Sequence, residues 1–250
     1  MLRLNALTRG LPLAACAAMT VAAPAQAAVT IGETQPLANN VCPPSSIHLQ
    51  AASAGSSYVV PSAGVITSWS NAPIGPAARV RLKIFRATAV LNAYTVVDQS
   101  RIETTSASAF STRIPVLAGD ILGLTSIDAS TCVRFGTSAA DKENAALGQP
   151  DPSPGTTFTP PVISGTTRVN VSANLEPDAD GDGFGDETQD GCSTNPKRQD
   201  DCVAPTVTLT RVGKPKAKTT FTLVASETGV TFQCALDGPK FKNCGATKVF

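Results

Sequence analysis

The sequence has little of what most enzymes and most nucleic-acid binders are built from. Its 250 residues include one histidine, one tryptophan and two tyrosines, and aromatics total only 5%. Charged residues make up 16% and the net charge is +1, which provides no field for nucleic acid and no general attraction to membranes. No phosphate-binding loop, dinucleotide fingerprint or HExxH motif occurs. A Ser-His-Asp constellation would have to use His48, which follows Pro43-Pro44 and Ser45-Ser46; a surface histidine is the simpler reading. CxxC spacing is absent, and His48 is remote in sequence from the paired cysteines, which argues against zinc. A glycosidase needs only two carboxylates, and Asp98, Glu103, Asp120 and Asp128 are available. Asp120 follows a glycine in a turn, so a turn role is simpler. The expectation is a non-catalytic protein, with glycoside hydrolase-like activity as the residual alternative.

What is present favours strands. Hydrophobic residues reach 42%, and 19 glycines and 19 prolines punctuate runs of Val, Thr and Ser. That mixture suits short strands joined by many turns. The N-terminus reads as a secretory signal: Arg3 and Arg9, an apolar run from Leu11 to Ala23, then Pro24 and "AQA" ending at Ala27, the expected cleavage site. The rival is "LAAC" at Leu13–Cys16, which resembles a bacterial lipobox and would tether the chain to a membrane through a lipidated Cys16. No other run approaches the roughly 20 apolar residues of a bilayer span.

Six cysteines remain after the signal, as expected of an exported, disulfide-bonded chain. Their clustering suggests Cys42–Cys132, Cys192–Cys202 and Cys234–Cys244. On a chain-entropy model the long first loop contributes somewhat over ~4 kcal/mol and the short ones roughly 3 kcal/mol each.

Residues 28–176 predict an antiparallel β-sandwich, jelly-roll or immunoglobulin-like, with strands at Ser57–Val60, Gly64–Ser70, Arg79–Arg86, Ala93–Asp98, Phe110–Val116, Asp120–Ser126 and Thr131–Gly136. In the third, Val80, Leu82 and Ile84 alternate with Arg79, Arg81 and Lys83, which predicts one buried and one wet face. The Pro- and Gly-rich stretch 139–165 looks like a linker. Yet Val169, Val171 and Ala173 alternate with polar residues after it, and a lone strand cannot bury that face. The stretch is therefore expected to be a long loop returning the chain to the first sheet. Residues 203–250 predict strands at Thr206–Arg211, Thr219–Ser226 and Val230–Gly238, then a disulfide-pinned hairpin or loop through Lys240–Cys244. The sequence stops within what reads as a new strand, so this module is expected to be truncated or to continue in a longer product.

Between the two lies "DADGDGFGDETQDGC", Asp178 to Cys192. Two bare carboxylates about 5 Å apart repel by roughly 1–3 kcal/mol, and this segment has almost no apolar area to oppose that. Asp178, Asp180 and Asp182 sit two apart, with Gly183 before Asp186, a spacing that converges carboxylates in a tightly wound backbone. A hard divalent cation reverses the sign of their interaction. Ca2+ tolerates irregular oxygen shells better than Mg2+ does, so calcium is the expected ion. The pattern D-x-D-x-D-G-x-x-D makes Asp178, Asp180 and Asp182 direct ligands, adds the Phe184 carbonyl, and lets Asp186 bind directly or through water. Gln189 replaces the closing glutamate of an EF-hand, and helical flanks are missing.

The run resembles a thrombospondin type 3 repeat over Asp178 to about Cys202. That resemblance implies a disulfide-fixed calcium segment with Asp178, Asp180, Asp182 and Asp186 as ligands. Asp190 and Cys192 each fall one residue later than the family spacing, so either Gln189 or Asp190 closes the shell; Glu187 is expected to face solvent. Likewise "APTVTLT", "FQCALDG" and "FKNC" resemble the immunoglobulin-like domains found in tandem in large secreted bacterial proteins, which implies an adhesive or spacer role.

The functional expectation is a secreted, calcium-binding modular protein, structural or adhesive at the cell surface, meeting a cell-wall polymer, glycan or surface protein. The alternative is a carbohydrate-binding, lectin-like protein using Trp69, Tyr58, Tyr94 or Phe85 as platforms, although Trp69 reads more simply as core. The basic stripes Arg79-Arg81-Lys83 and Lys214-Lys216-Lys218 could meet anionic polymers, but read more simply as wet strand faces.

Overall fold

The computed structural model describes residues 27–35, 38–72, 75–105, 109–203, 206–212, 219–226, 230–235 and 241–249. The expected signal segment up to residue 26, Cys16 within it, and the Lys214-Lys216-Lys218 stripe fall outside them. Among the described residues there is no α-helix, and every strand pairing is antiparallel. No helix there is long and apolar enough to cross a membrane.

Before the acidic run come β1 (Val29–Glu33), β2 (Asn40–Cys42), β3 (Ser46–Ala52), β4 (Gly64–Ser70) and β5 (Arg79–Ala87). Then follow β6 (Tyr94–Gln99), β7 (Glu103–Thr104), β8 (Phe110–Val116), β9 (Ile121–Ser126) and β10 (Ser130–Phe135). The last five are β11 (Lys142–Ala146), β12 (Thr157–Phe158), β13 (Val162–Gly165), β14 (Thr167–Val169) and β15 (Val171–Glu176). One sheet runs β1-β15-β4-β8, and a large one runs β12-β6-β5-β9-β3-β11-β13 with β7 on β5. A third, β14-β10-β2, carries the Cys42–Cys132 bridge, where a bulge between Thr131 and Val133 sets Cys132 out of register.

The main core includes Ile66 and Trp69 of β4, Leu82 and Ile84 of β5, Leu122 and Leu124 of β9, and Val171 and Leu175 of β15. Trp69 packs against Phe110 in a tilted pair with ring centroids 4.7 Å apart. A second cluster, Ile47, Leu49, Phe85, Tyr94, Val96 and Ile121, is packed by Phe158.

Three expectations change here. No strand forms at Ser57–Val60; Tyr58 sits in a turn, fully buried, its hydroxyl donating to the Val169 carbonyl at 2.6 Å. Stretch 139–165 is more than a loop: it returns the chain to the first sheet as anticipated, but on the way β11, β12 and β13 extend the large sheet. The basic face of β5 is not wet throughout. Arg79 remains exposed, Arg81 is half-buried against Asp151, and Lys83 is fully buried. The returning chain lies over that face, with the Pro152 carbonyl accepting from Lys83 and Phe158 6.1 Å from Phe85.

Beyond the acidic run, β16 (Val207–Val212), β17 (Thr220–Ala225) and β20 (Thr247–Val249) form one antiparallel sheet. β18 (Phe232–Cys234) and β19 (Lys242–Cys244) form a hairpin closed by Cys234–Cys244.

Candidate metal centre

The acidic run leaves β15 directly. Glu176, the last residue of that strand, is 2% exposed. Its Oε1 accepts from the hydroxyls of Thr67 on β4 (2.8 Å) and Thr188 (2.7 Å). Its Oε2 accepts from the backbone N–H groups of Glu187 (3.0 Å) and Thr188 (2.9 Å). Burial alone would raise this carboxyl, but those donors outweigh it and hold it below the ordinary glutamate range. Glu176 thus nails the far end of the acidic loop to the sandwich. Glu176 lies outside the D-x-D pattern, and its place at the junction of a strand and the acidic run is the only sequence signal that marks it.

Gly181 and Gly183 adopt positive φ (76° and 85°), which turns the backbone back on Asp178. Asp178 Oδ1 accepts from the N–H groups of Gly181 (2.8 Å) and Asp182 (3.1 Å), and Oδ2 from Gly183 (3.0 Å). One carboxylate oxygen from each of Asp178, Asp180 and Asp182 lies within 4.8 Å of the other two, a grouping that could hold a metal ion. Asp182 is steadied by the Phe184 N–H (2.9 Å) and by Gln199 Nε2 (2.7 Å), a partner from beyond Cys192 that spacing could not reveal. Asp186 accepts from the Ala179 N–H at 3.2 Å, and its own N–H donates to the Pro177 carbonyl.

The two candidates for closing the shell differ in what they touch. Gln189 donates to the Thr112 carbonyl of β8 at 2.8 Å and accepts weakly from the Gly185 N–H at 3.4 Å. Asp190 is 5% exposed; its Oδ1 accepts from the Cys192 N–H, and its Oδ2 is buried with no hydrogen-bond partner. Asp180 Oδ2 is likewise buried and unpartnered. Burial, then Asp182, Asp190 and Asp178, push the Asp180 carboxyl up, and burial, then Asp178, Asp190 and Asp180, do the same to Asp186. Asp186 and Asp190 thus lie close enough to add to the negative field around the Asp178–Asp180–Asp182 grouping. A buried carboxylate oxygen without a donor is costly unless a cation meets it.

The Phe184 ring lies 4.0 Å beneath the Arg113 guanidinium of β8, a cation–π contact worth about 0.5–1 kcal/mol at the surface. Glu187 is exposed and accepts from the Ala28 N–H. Cys192–Cys202 closes the segment, with Cα atoms 4.7 Å apart. Gly185 is packed so tightly that an added Cβ would lie 2.5 Å from Glu176 Oε2 and 2.6 Å from Thr67 Cγ2. Gly185→Ala is therefore expected to cost about 1–3 kcal/mol and to lower the melting temperature even in chelator; a melt matching the parent would show that the loop is not docked this way.

Compared with known proteins, the chain matches no family model, no curated protein and no solved structure.

His48 corrects the surface reading. It is 3% exposed on β3, with Nδ1 paired to the buried Glu143 of β11 and Nε2 3.0 Å from Ser46 Oγ and 3.6 Å from Cys132 Sγ. Sequence remoteness from the cysteines was thus a poor guide, since Cys42, Cys132 and His48 form a second metal-type grouping. With the two sulfurs bonded to each other, it has no thiolate to offer. Ser46 is fully buried and donates to the Pro43 carbonyl. Among the sandwich carboxylates, Asp120 is fully buried and clamped by Arg86 (2.7 and 2.9 Å), in keeping with its turn role. Asp128 is paired with Arg79, which holds its carboxyl at about 2, and Glu103 with Arg101.

Proposed function

We propose that this is a secreted, non-catalytic, calcium-binding modular β protein, structural or adhesive at a cell surface, in which Ca2+ stiffens the joint after the sandwich. The observation that carries this reading is the gathering of Asp178, Asp180 and Asp182 within 4.8 Å, with the Oδ2 atoms of Asp180 and Asp190 buried and unpartnered. Asp178, Asp180, Asp182, Asp186 and Asp190 would hold the ion, with the Phe184 carbonyl. Calcium would supply the positive charge that the loop lacks. Binding energy would then act as folding energy for the loop, which Glu176 and Gln189 couple to β4 and β8. Three disulfides among the described residues are compatible with an extracellular setting. The thrombospondin-like and immunoglobulin-like resemblances support the same role. The carbohydrate-binding alternative gains no support, because Trp69, Tyr58, Tyr94 and Phe85 are all buried.

Asp180→Asn with Asp182→Asn removes two charges from the cluster and leaves its shape. Calorimetric titration is expected to show calcium binding weakened more than about tenfold. The melting temperature should fall in calcium but not in chelator, where losing two like charges relieves repulsion. A double variant that binds calcium like the parent would overturn the ligand assignment.

A further inference from the structure

The large sheet contains a second reactive arrangement, independent of the calcium reading. Lys83 on β5 lies directly across from Gln99 on β6 in the antiparallel register. Its side chain is fully buried. Nζ donates to the carboxamide oxygen of Gln99 at 2.5 Å and to the Pro152 carbonyl at 2.5 Å, and lies 2.9 Å from Asp151 Oδ1. Asp151 is itself aimed by Thr125 Oγ1 (3.2 Å) and by the Arg81 guanidinium (3.2 Å). A primary amine, a primary carboxamide and a carboxylate thus meet beneath the Pro-rich return of the chain.

We propose that Lys83 and Gln99 are joined by an intramolecular isopeptide bond, formed by autocatalytic transamidation with Asp151 as the proton carrier. The Lys83 Nζ lone pair attacks Gln99 Cδ, one bond away from the oxygen it already touches. The Nζ–Cδ bond forms and the Cδ–Nε2 bond breaks. The proton shed by Nζ passes to Asp151 and from there to Nε2, which leaves as ammonia. Atoms balance without oxidant or cofactor, and Asp151 returns to its starting state.

Three physical features favour the step. The amine must be uncharged to attack, and burial pushes the Lys83 ammonium below the ordinary lysine range, against the opposing pull of Asp151. The reactants are held in contact by strand pairing, which turns a bimolecular encounter into an intramolecular one at high effective concentration. The covering chain limits water, the competing nucleophile. The product would staple β5 to β6 covalently, a cross-link suited to a module that bears load.

The test is the intact mass of the purified, oxidised full chain. The expected value is lower than the disulfide-bonded sequence mass by one ammonia. Trypsin should then fail to cut after Lys83 and should release a branched peptide joining residues 82–86 to residues 87–101. Lys83→Met and Asp151→Ala should each restore the full mass, the latter with both reacting groups still present. Circular dichroism checks that each variant is folded, and Gln99→Leu replaces either one that is not. A full parent mass, with the Lys83 and Gln99 peptides released separately, would overturn the proposal and leave a hydrogen-bonded ion pair only. An ammonia loss mapped to any other residue would overturn it equally.

Discussion

Replacing Cys42 and Cys132 together by alanine is expected to destabilise the protein by about 4–5 kcal/mol. That corresponds to a fall in melting temperature of about 10–15 °C for a chain of this size. The bridge spans 90 residues, against 10 for each of the other two, so it restricts the unfolded chain most. Both cysteines are also fully buried in the main core, so the alanines lose packing as well. Alanine is the informative replacement, because serine would bury two hydroxyls beside His48 with no assured partner. Thermal and urea melts of this variant beside the Cys192/Cys202 double variant provide the check. Equal losses from the two would sink the chain-entropy account.

Glu176→Ala is expected to cost about 3 kcal/mol, because it strands four donors around a buried site. Two are backbone N–H groups that cannot turn away. Two are threonine hydroxyls, which can. Glu176→Gln should therefore cost clearly less: its oxygen can serve the N–H groups while its amide donates to the reoriented hydroxyls. The pattern across conditions separates this residue from the metal cluster. Removing the Asp180 and Asp182 charges should lower the melting temperature only with calcium present, whereas Glu176→Ala should lower it in chelator too and weaken calcium binding besides. If Glu176→Ala melts like the parent in chelator, the acidic loop is not anchored to the sandwich through this carboxylate.

The parts of this molecule that were legible in its sequence are those set by near neighbours. β4 and β8 were bounded correctly, and β5, β6, β9 and β10 to within a residue or so, because alternation and turn residues are local signals. β3 has no alternation to mark it in the sequence, for a physical reason. It lies inside the large sheet, between β9 and β11, and most of it is buried on both faces, so "SIHLQAA" carries no period of two. The candidate site divides in the same way. The spacing of Asp178, Asp180 and Asp182 announced a cation-sized gathering, but Glu176, Gln199 and the differing contacts of Gln189 and Asp190 did not.

The sequence by itself determined the strand-rich character, the pairing of cysteines by cluster and the crowding of acids between two β regions. Periodicity, loop length and Coulomb repulsion act along the chain and can be read from it. Only the tertiary structure decided that β5's basic face is covered, that His48 is buried against a disulfide, and that Lys83 meets Gln99 and Asp151. Burial of a second face depends on which distant segment lies over it, here the return through Asp151 and Pro152, and no local pattern encodes that choice.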